Sequence, residues 1–217
     1  FARHNFNVYA FDLPGHGRSS GESCESIDSF TDWLASAIEE LNIPEAAMVG
    51  HSMGSLIALN FAARHPDKTR ALVLLGTSTP MPVSASLLTA AKESDHSAID
   101  MANNWSHSHF GKLGGNEIPG ICMTMSGQRL LEQAPDNTFF SDLKACNEFR
   151  DGESAAKSVL AETLVIVGNK DKMASPANAF KVARNVPNSR VWRLENCGHS
   201  MLSECPNAVL DALISIV

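Results

Sequence analysis

Ala46-Ala47-Met48-Val49-Gly50-His51-Ser52-Met53-Gly54-Ser55-Leu56 is the stretch on which the fold turns. A short apolar run, Ala46 to Gly50, leads directly into Ser52 to His65, whose apolar residues recur at helical spacing until Pro66 stops them. Strand, tight turn and helix follow without a linker, and the turn carries the pattern G-x-S-x-G. In that context a serine is expected on a strained turn with small neighbours on both sides and its hydroxyl presented above the sheet. The N-terminus of the following helix and the Met53 backbone N–H are then aimed at any oxyanion that develops beside it. The plainer reading is that Gly50 and Gly54 merely permit a tight strand-to-helix turn.

The same alternation extends to both sides. Asn7 to Phe11 is short, apolar and aromatic and runs into Asp12-Leu13-Pro14-Gly15-His16-Gly17, which reads as strand then loop. Ile27, Phe30, Leu34, Ala37, Ile38 and Leu41 mark an amphipathic helix between Ser26 and Pro44, with Asp28 and Asp32 near its positive end. Further strands are expected at Ala71 to Gly76, Thr163 to Gly168 and Ser189 to Leu194. Ser175-Pro176 opens one helix, and Pro206 sits near the first turn of the last. Alternating strands and helices predict an α/β fold, a mostly parallel sheet with helices on both faces.

Residues 80–157 interrupt this rhythm. A connection of ~2 to 6 residues is usual in α/β units, so the interval is expected to carry structure of its own, a helical cap. Its helical pieces are predicted at Ser84 to Lys92, Ser97 to Trp105, Gly127 to Gln133 and Asp142 to Phe149, around a glycine-rich break from Gly111 to Gly120. Residues 1–79 and 158–217 then form the two parts of one core.

Composition sets the outer limits. With 44% hydrophobic and 19% charged residues among 217, the chain is ordinary globular material. The net charge of -7 is dispersed and no Lys/Arg cluster offers a footprint for phosphates, which argues against nucleic acid as a partner. The longest apolar runs are too short to span a membrane. Five cysteines, odd in number and without a CxxC pair, suit free thiols in a cytoplasmic protein better than a disulfide framework or structural zinc.

A serine hydroxyl needs a base to attack a carbonyl at neutral pH. His199, in Asn196-Cys197-Gly198-His199-Ser200, follows the last strand at the carboxyl edge where an open parallel sheet places its ligands. The base in turn needs a carboxylate to fix its tautomer, and Asp171 follows the strand Thr163 to Val167 at the same edge. Taken alone, Asp171 reads as a solvated or capping aspartate. The loop Thr77-Ser78-Thr79 after the preceding strand offers no rival carboxylate.

The order Ser, Asp, His in these contexts resembles the α/β-hydrolase fold superfamily, especially its capped esterase-like members. Asp12 to Ser19 resembles the family's loop after strand four, Gly50 to Gly54 its nucleophile elbow, Pro66 to Leu75 the passage into strand six, and Cys197-Gly198-His199 its histidine loop. The resemblance implies Ser52 as nucleophile, His199 as general base, Asp171 as the orienting acid and the Met53 N–H as one oxyanion donor. It implies no cofactor and no metal. Ser52 also separates the chain from relatives with an aspartate or a cysteine at the elbow.

One feature departs from the family. The loop after strand three, which supplies the second oxyanion donor, has no counterpart here, and strand three itself would lie between strands four and five. The sequence therefore reads as truncated at its N-terminus, with a sheet short of a central member. Losing one oxyanion donor costs ~10²- to 10³-fold in rate.

Trp105, Phe110, Met123, Met125 and Phe139 are candidate pocket residues in the cap, suited to an apolar acyl or aromatic group, or else the cap's own small core. His107 and His109 lack a third ligand at a recognisable spacing and suit the cap surface or pocket lining. His16 is expected to be structural, His51 to point away from the serine, and Cys197 to be a buried residue close enough to His199 to make thiol reagents inhibitory. The leading expectation is hydrolysis of a small-molecule carboxylic ester through an acyl-enzyme. Thioester, lactone, carbon–carbon and perhydrolase chemistry use the same triad, and some members of the fold bind ligands without turnover.

Overall fold

The computed structural model describes residues 6–115 and 117–216. Its centre is a four-stranded, all-parallel sheet in the order β1-β2-β3-β4, formed by Ala46–His51, Thr69–Leu75, Glu162–Gly168 and Ser189–Leu194. Register runs without a break along β2 and β3 (Ala71 beside Glu162 to Leu75 beside Ile166), so all four carboxyl ends lie on one edge.

The middle strands are buried on both faces, which is why they read as continuous apolar runs. Leu72, Leu74, Val165 and Val167 point into one core; Val73, Leu75, Leu164 and Ile166 point into another. The larger core is closed by α1 (Ile27–Glu40), α2 (Met53–Arg64) and α9 (Pro176–Asn185), the smaller by α10 (Met201–Glu204) and α11 (Pro206–Ile214). Helices on both faces of a parallel sheet are the predicted arrangement.

α1 illustrates how the sequence makes an element. Ser26 caps it by accepting from the Ser29 N–H, and Ile27, Phe30, Leu34 and Ile38 fall on its buried stripe. Thr31 is buried on the same face, and its hydroxyl meets Asn60 of α2, which also donates to Asp28 at 2.9 Å. The polar groups between the two helices are thereby satisfied.

Between β2 and β3 lies a helical insertion: α3 (Ala85–Lys92), α4 (Ser97–Ser106), α5 (His109–Lys112), α6 (Met123–Glu132), α7 (Thr138–Glu148) and α8 (Gly152–Ser158). Leu87, Ala90, Ala91, Ala98 and Leu143 form its small core. Ala155 and Ala156 of α8, with Ala145, Cys146 and Phe149, instead join the larger core of the sheet. Helices α6 and α7 each begin four residues before the predicted Gly127 and Asp142, and the short α5 and α8 carry too few turns for a periodic signal.

One strand expectation is corrected. Residues 7–11 are not a strand, and Val8, Tyr9 and Phe11 are exposed, with Phe11 meeting the edge of Trp33 at 5.8 Å between ring centroids. A strand exists only through hydrogen bonds to a neighbour. β1 is the edge strand of the described sheet and pairs with β2 alone, so the apolar alternation of residues 7–11 finds no ladder to join.

Candidate active site

Ser52 sits between β1 and α2 with φ 52° and ψ -120°, a conformation costly for a non-glycine residue. Its N–H donates to the Leu75 carbonyl at 3.0 Å, tying the turn to the end of β2. It stands at the N-cap of α2, yet its side chain makes no cap bond, so the hydroxyl is not consumed by the helix. Gly50 is required: a Cβ there would lie 2.0 Å from the Gly54 carbonyl oxygen. Gly54 is less confined than expected, with nothing within 4 Å of its missing Cβ beyond its own helix turns.

Asp171 and His199 are brought together. The two residues, each 5% exposed, are joined by a 2.8 Å hydrogen bond from His199 Nδ1 to Asp171 Oδ2. The other carboxylate oxygen accepts the Met173 and Ala174 N–H groups at 2.9 and 2.8 Å, which fixes its plane. With Nδ1 donating to Asp171, the opposite ring nitrogen, Nε2, is the acceptor of the neutral ring. Glycines make this approach feasible. Gly76, at φ +55°, leaves room for the His199 ring, which a Cβ would meet at 2.9 Å, and a Cβ on Gly168 would strike the Gly198 carbonyl at 2.4 Å.

The His51 side chain reaches the histidine loop. Its Nε2–H donates to the His199 backbone carbonyl at 2.8 Å, and the two rings lie 4.8 Å apart. Burial, reinforced by the neighbouring His199, pushes the His51 pKa down to about 4, so it is a neutral donor under physiological conditions. It links the peptide before Ser52 to the peptide of His199. No sequence signal beyond adjacency to the serine marks this role.

Cys197 is fully buried, and burial, with the neighbouring Cys205 thiol adding to it, pushes its own thiol well above the ordinary range. A buried thiol held protonated is a poor nucleophile, which corrects the expectation that its proximity to His199 exposes the site to thiol reagents.

The insertion residues are dispersed. Trp105 and Phe139 pack against the insertion's own core, Met123 is buried, and Phe110 and Met125 are exposed. His107 is 3% exposed and bonds the Asn103 carbonyl through Nδ1, making it an interior residue rather than a surface one, whereas His109 is exposed. His16 pairs with Asp142 at 2.7 Å, a structural contact between the loop after residues 7–11 and the insertion. Glu204, buried beneath the histidine loop, was not marked by any sequence pattern.

The profile of the family described as alpha/beta hydrolase fold matches residues 1–95. The (E)-2-((N-methylformamido)methylene)succinate hydrolase of Acinetobacter baylyi is 34% identical over 76 residues, 35% of this chain and 28% of that protein, so the match spans just over a quarter of the relative's length. The pimeloyl-(acyl-carrier protein) methyl ester esterase of Neisseria meningitidis is 27% identical over 212 residues, 89% of this chain and 76% of that protein. Among solved structures, the enol-lactonase of Burkholderia xenovorans superimposes with a TM-score of 0.83 at 20% identity, covering 94% of this chain and 78% of that one. The chain has the α/β-hydrolase fold. The proteins it resembles within that fold include esterases.

Proposed function

We propose that the protein is a serine hydrolase that cleaves a carboxylic ester through an acyl-enzyme on Ser52, with His199 as general base and Asp171 as its orienting carboxylate. The observation that carries this reading is the 2.8 Å bond between Asp171 and His199 at the sheet edge where Ser52 occupies its strained turn. His199 Nε2 takes the Ser52 proton as Oγ attacks the acyl carbon, and the positive charge on the imidazole is stabilised by Asp171. The oxyanion of the tetrahedral intermediate accepts the Met53 N–H at the start of α2. Collapse releases the alcohol, protonated by His199, and water then hydrolyses the ester on Ser52 by the same route. The insertion serves as the cap over this site, its apolar side chains suiting a small or medium apolar acyl group.

The test is covalent labelling by a fluorophosphonate probe together with turnover of short-chain p-nitrophenyl esters. Wild-type protein is expected to be labelled once per chain and to turn over repeatedly. Ser52→Ala is expected to lose labelling and at least ~10⁴-fold in rate. Labelling that survives Ser52→Ala at the same stoichiometry defeats the assignment. A single burst without turnover points to a ligand-binding member of the fold, and labelling without ester turnover points to thioester, lactone, carbon–carbon or perhydrolase chemistry.

A further inference from the structure

The corner between α4 and α5, residues Ser106 to Ser108, rests on both loops that carry the candidate acid and base. The Ser200 N–H, one residue after His199, donates to the Ser106 carbonyl at 2.8 Å. The Ser106 hydroxyl reaches Met173 Sδ at 3.0 Å, and the Met173 N–H is itself bound to Asp171. Glu204 completes the junction. Its carboxylate, on a residue 6% exposed, accepts the Ser108 N–H with both oxygens at 3.2 Å and the Gly198 N–H with Oε1 at 3.2 Å.

Among the described residues no salt bridge reaches this carboxylate; what satisfies it is backbone N–H from two separate segments. One belongs to the insertion, and the other immediately precedes His199. The packing around it leaves no slack. A Cβ on Gly198 would lie 2.6 Å from both Glu204 Oε1 and the Ser108 nitrogen, and one on Gly111 would lie 2.9 Å from Glu204 Oε2. A buried carboxylate placed where two backbone donors converge is a poor choice for solubility and a good one for fixing the two segments relative to each other.

We propose that Glu204 is a positioning residue for His199: it ties the α4–α5 corner to the Gly198–His199 peptide, so the seating of the insertion sets the placement of the imidazole against Asp171. The proposal rests on the serine-hydrolase reading for its kinetic consequence but not for its structural one. Displacing a catalytic base by an ångström is enough to cost ~10²-fold in rate. Disturbing the α4–α5 corner, which touches none of Ser52, Asp171 and His199 through a side chain of its own reacting chemistry, therefore slows the reaction with little change in KM.

Three variants of the full chain test it, read by fluorophosphonate labelling rate, by kcat and KM on a p-nitrophenyl ester, and by the NMR signal of the His199 Nδ1 proton shared with Asp171. Glu204→Ala removes the acceptor. Glu204→Gln keeps the Oε1 acceptor that serves both donors. Ser108→Pro removes the donor from the insertion together with the Ser108 hydroxyl cap on Gly111, at a residue whose φ of -63° already suits proline. Glu204→Ala and Ser108→Pro are expected to slow labelling and kcat by ~10²-fold with KM within ~3-fold, and to broaden or abolish the Nδ1 proton signal. Glu204→Gln is expected to restore most of both. Folded Glu204→Ala protein with a lower melting temperature but an unchanged Nδ1 signal and labelling rate overturns the proposal, since that is what a purely stabilising residue gives. Should Glu204→Ala not fold, Ser108→Pro decides by the same readouts. Wild-type protein that is never labelled defeats the hydrolase reading, and the Nδ1 signal then still decides for or against the clamp.

Discussion

On one side of the insertion, Asp142 of α7 accepts a hydrogen bond from His16 at 2.7 Å and another from the Ser23 hydroxyl at 3.3 Å, while Thr138 donates to the Gly15 carbonyl. On the other, Glu204 and the Ser106 carbonyl accept backbone N–H groups from the histidine loop and from the corner itself. Both seams hold the insertion to the sheet, but they use different chemistry. The first depends on an imidazole that is partly open to water and paired with a carboxylate; the second depends on peptide N–H groups that converge on the buried Glu204 carboxylate. The first is therefore expected to be cheap to cut, and the second costly to disturb.

The most damaging change should be Gly198→Ala. The added methyl would meet backbone and carboxylate at 2.6 Å, and neither can move without opening the second seam. Overpacking of this kind costs about 1 to 3 kcal/mol. Chemical denaturation should show that loss, alongside a labelling rate that falls as for Glu204→Ala. A variant as stable and as reactive as wild type would mean that the seam is slack.

His51 holds the same histidine loop from the β1 side and gives a pH test of that loop. Its pKa is depressed to about 4 in the folded protein, below the usual histidine value of the unfolded chain. Between these values the unfolded state binds the extra proton, so stability falls as the pH is lowered from about 6.5 towards 4, by about 3 kcal/mol for this group. Replacement by Gln, which keeps a donor for the His199 carbonyl, should flatten that part of the stability curve. An unchanged slope would assign the acid loss to other groups.

At the first seam the sign reverses. Hydrogen bonding to Asp142 is the main cause holding the His16 pKa above its usual value, against the opposing effect of burial. The stabilisation is thus fully present below the unfolded value near 6.5 and is lost as the pH rises through the raised folded value. Asp142→Asn should cost about 1 kcal/mol at pH 6, the modest worth of a partly exposed pair, and less at pH 9. Thermal melts at the two pH values check this; an equal cost at both would show that the Ser23 bond, not the ion pair, holds the seam.

How far these seams were legible in the sequence follows from what made each part. β1 to β4 and the long helices announce themselves because burial on one or both faces imposes a pattern of apolar residues. Ser52, Asp171 and His199 were legible because each follows a strand, and a parallel sheet sends all such ends to one edge. Residues 7–11 have the composition of a strand, but pairing is a property of neighbours, and β1 offers its only described ladder to β2. The seams were hidden for another reason. Glu204 and Asp142 look like any surface acid until the fold brings Ser108, ninety-six residues away in sequence, and His16, one hundred and twenty-six away, to meet them. Gly198 was the visible trace of the second seam, read only as the loop glycine beside His199.

The smallest effect is the control that gives the comparison its scale. Arg64 of α2 bonds Asp32 of α1 at the outer edge of the α1–α2 contact, and by distance alone it looks as firm as either seam. Its side chain is 40% exposed and that of Asp32 62%, so water already solvates both charges and ordering two flexible chains offsets much of the attraction. Arg64→Ala should therefore shift stability by no more than about 0.5 kcal/mol, and less in high salt. The α1–α2 contact does not depend on it, because Phe30, Leu34, Phe61 and the Asn60–Thr31 bond remain beneath. A loss in urea melts as large as that of Asp142→Asn would mean that exposure is not what separates a decorative pair from a seam, and the ranking of the two seams would have to be argued from geometry alone.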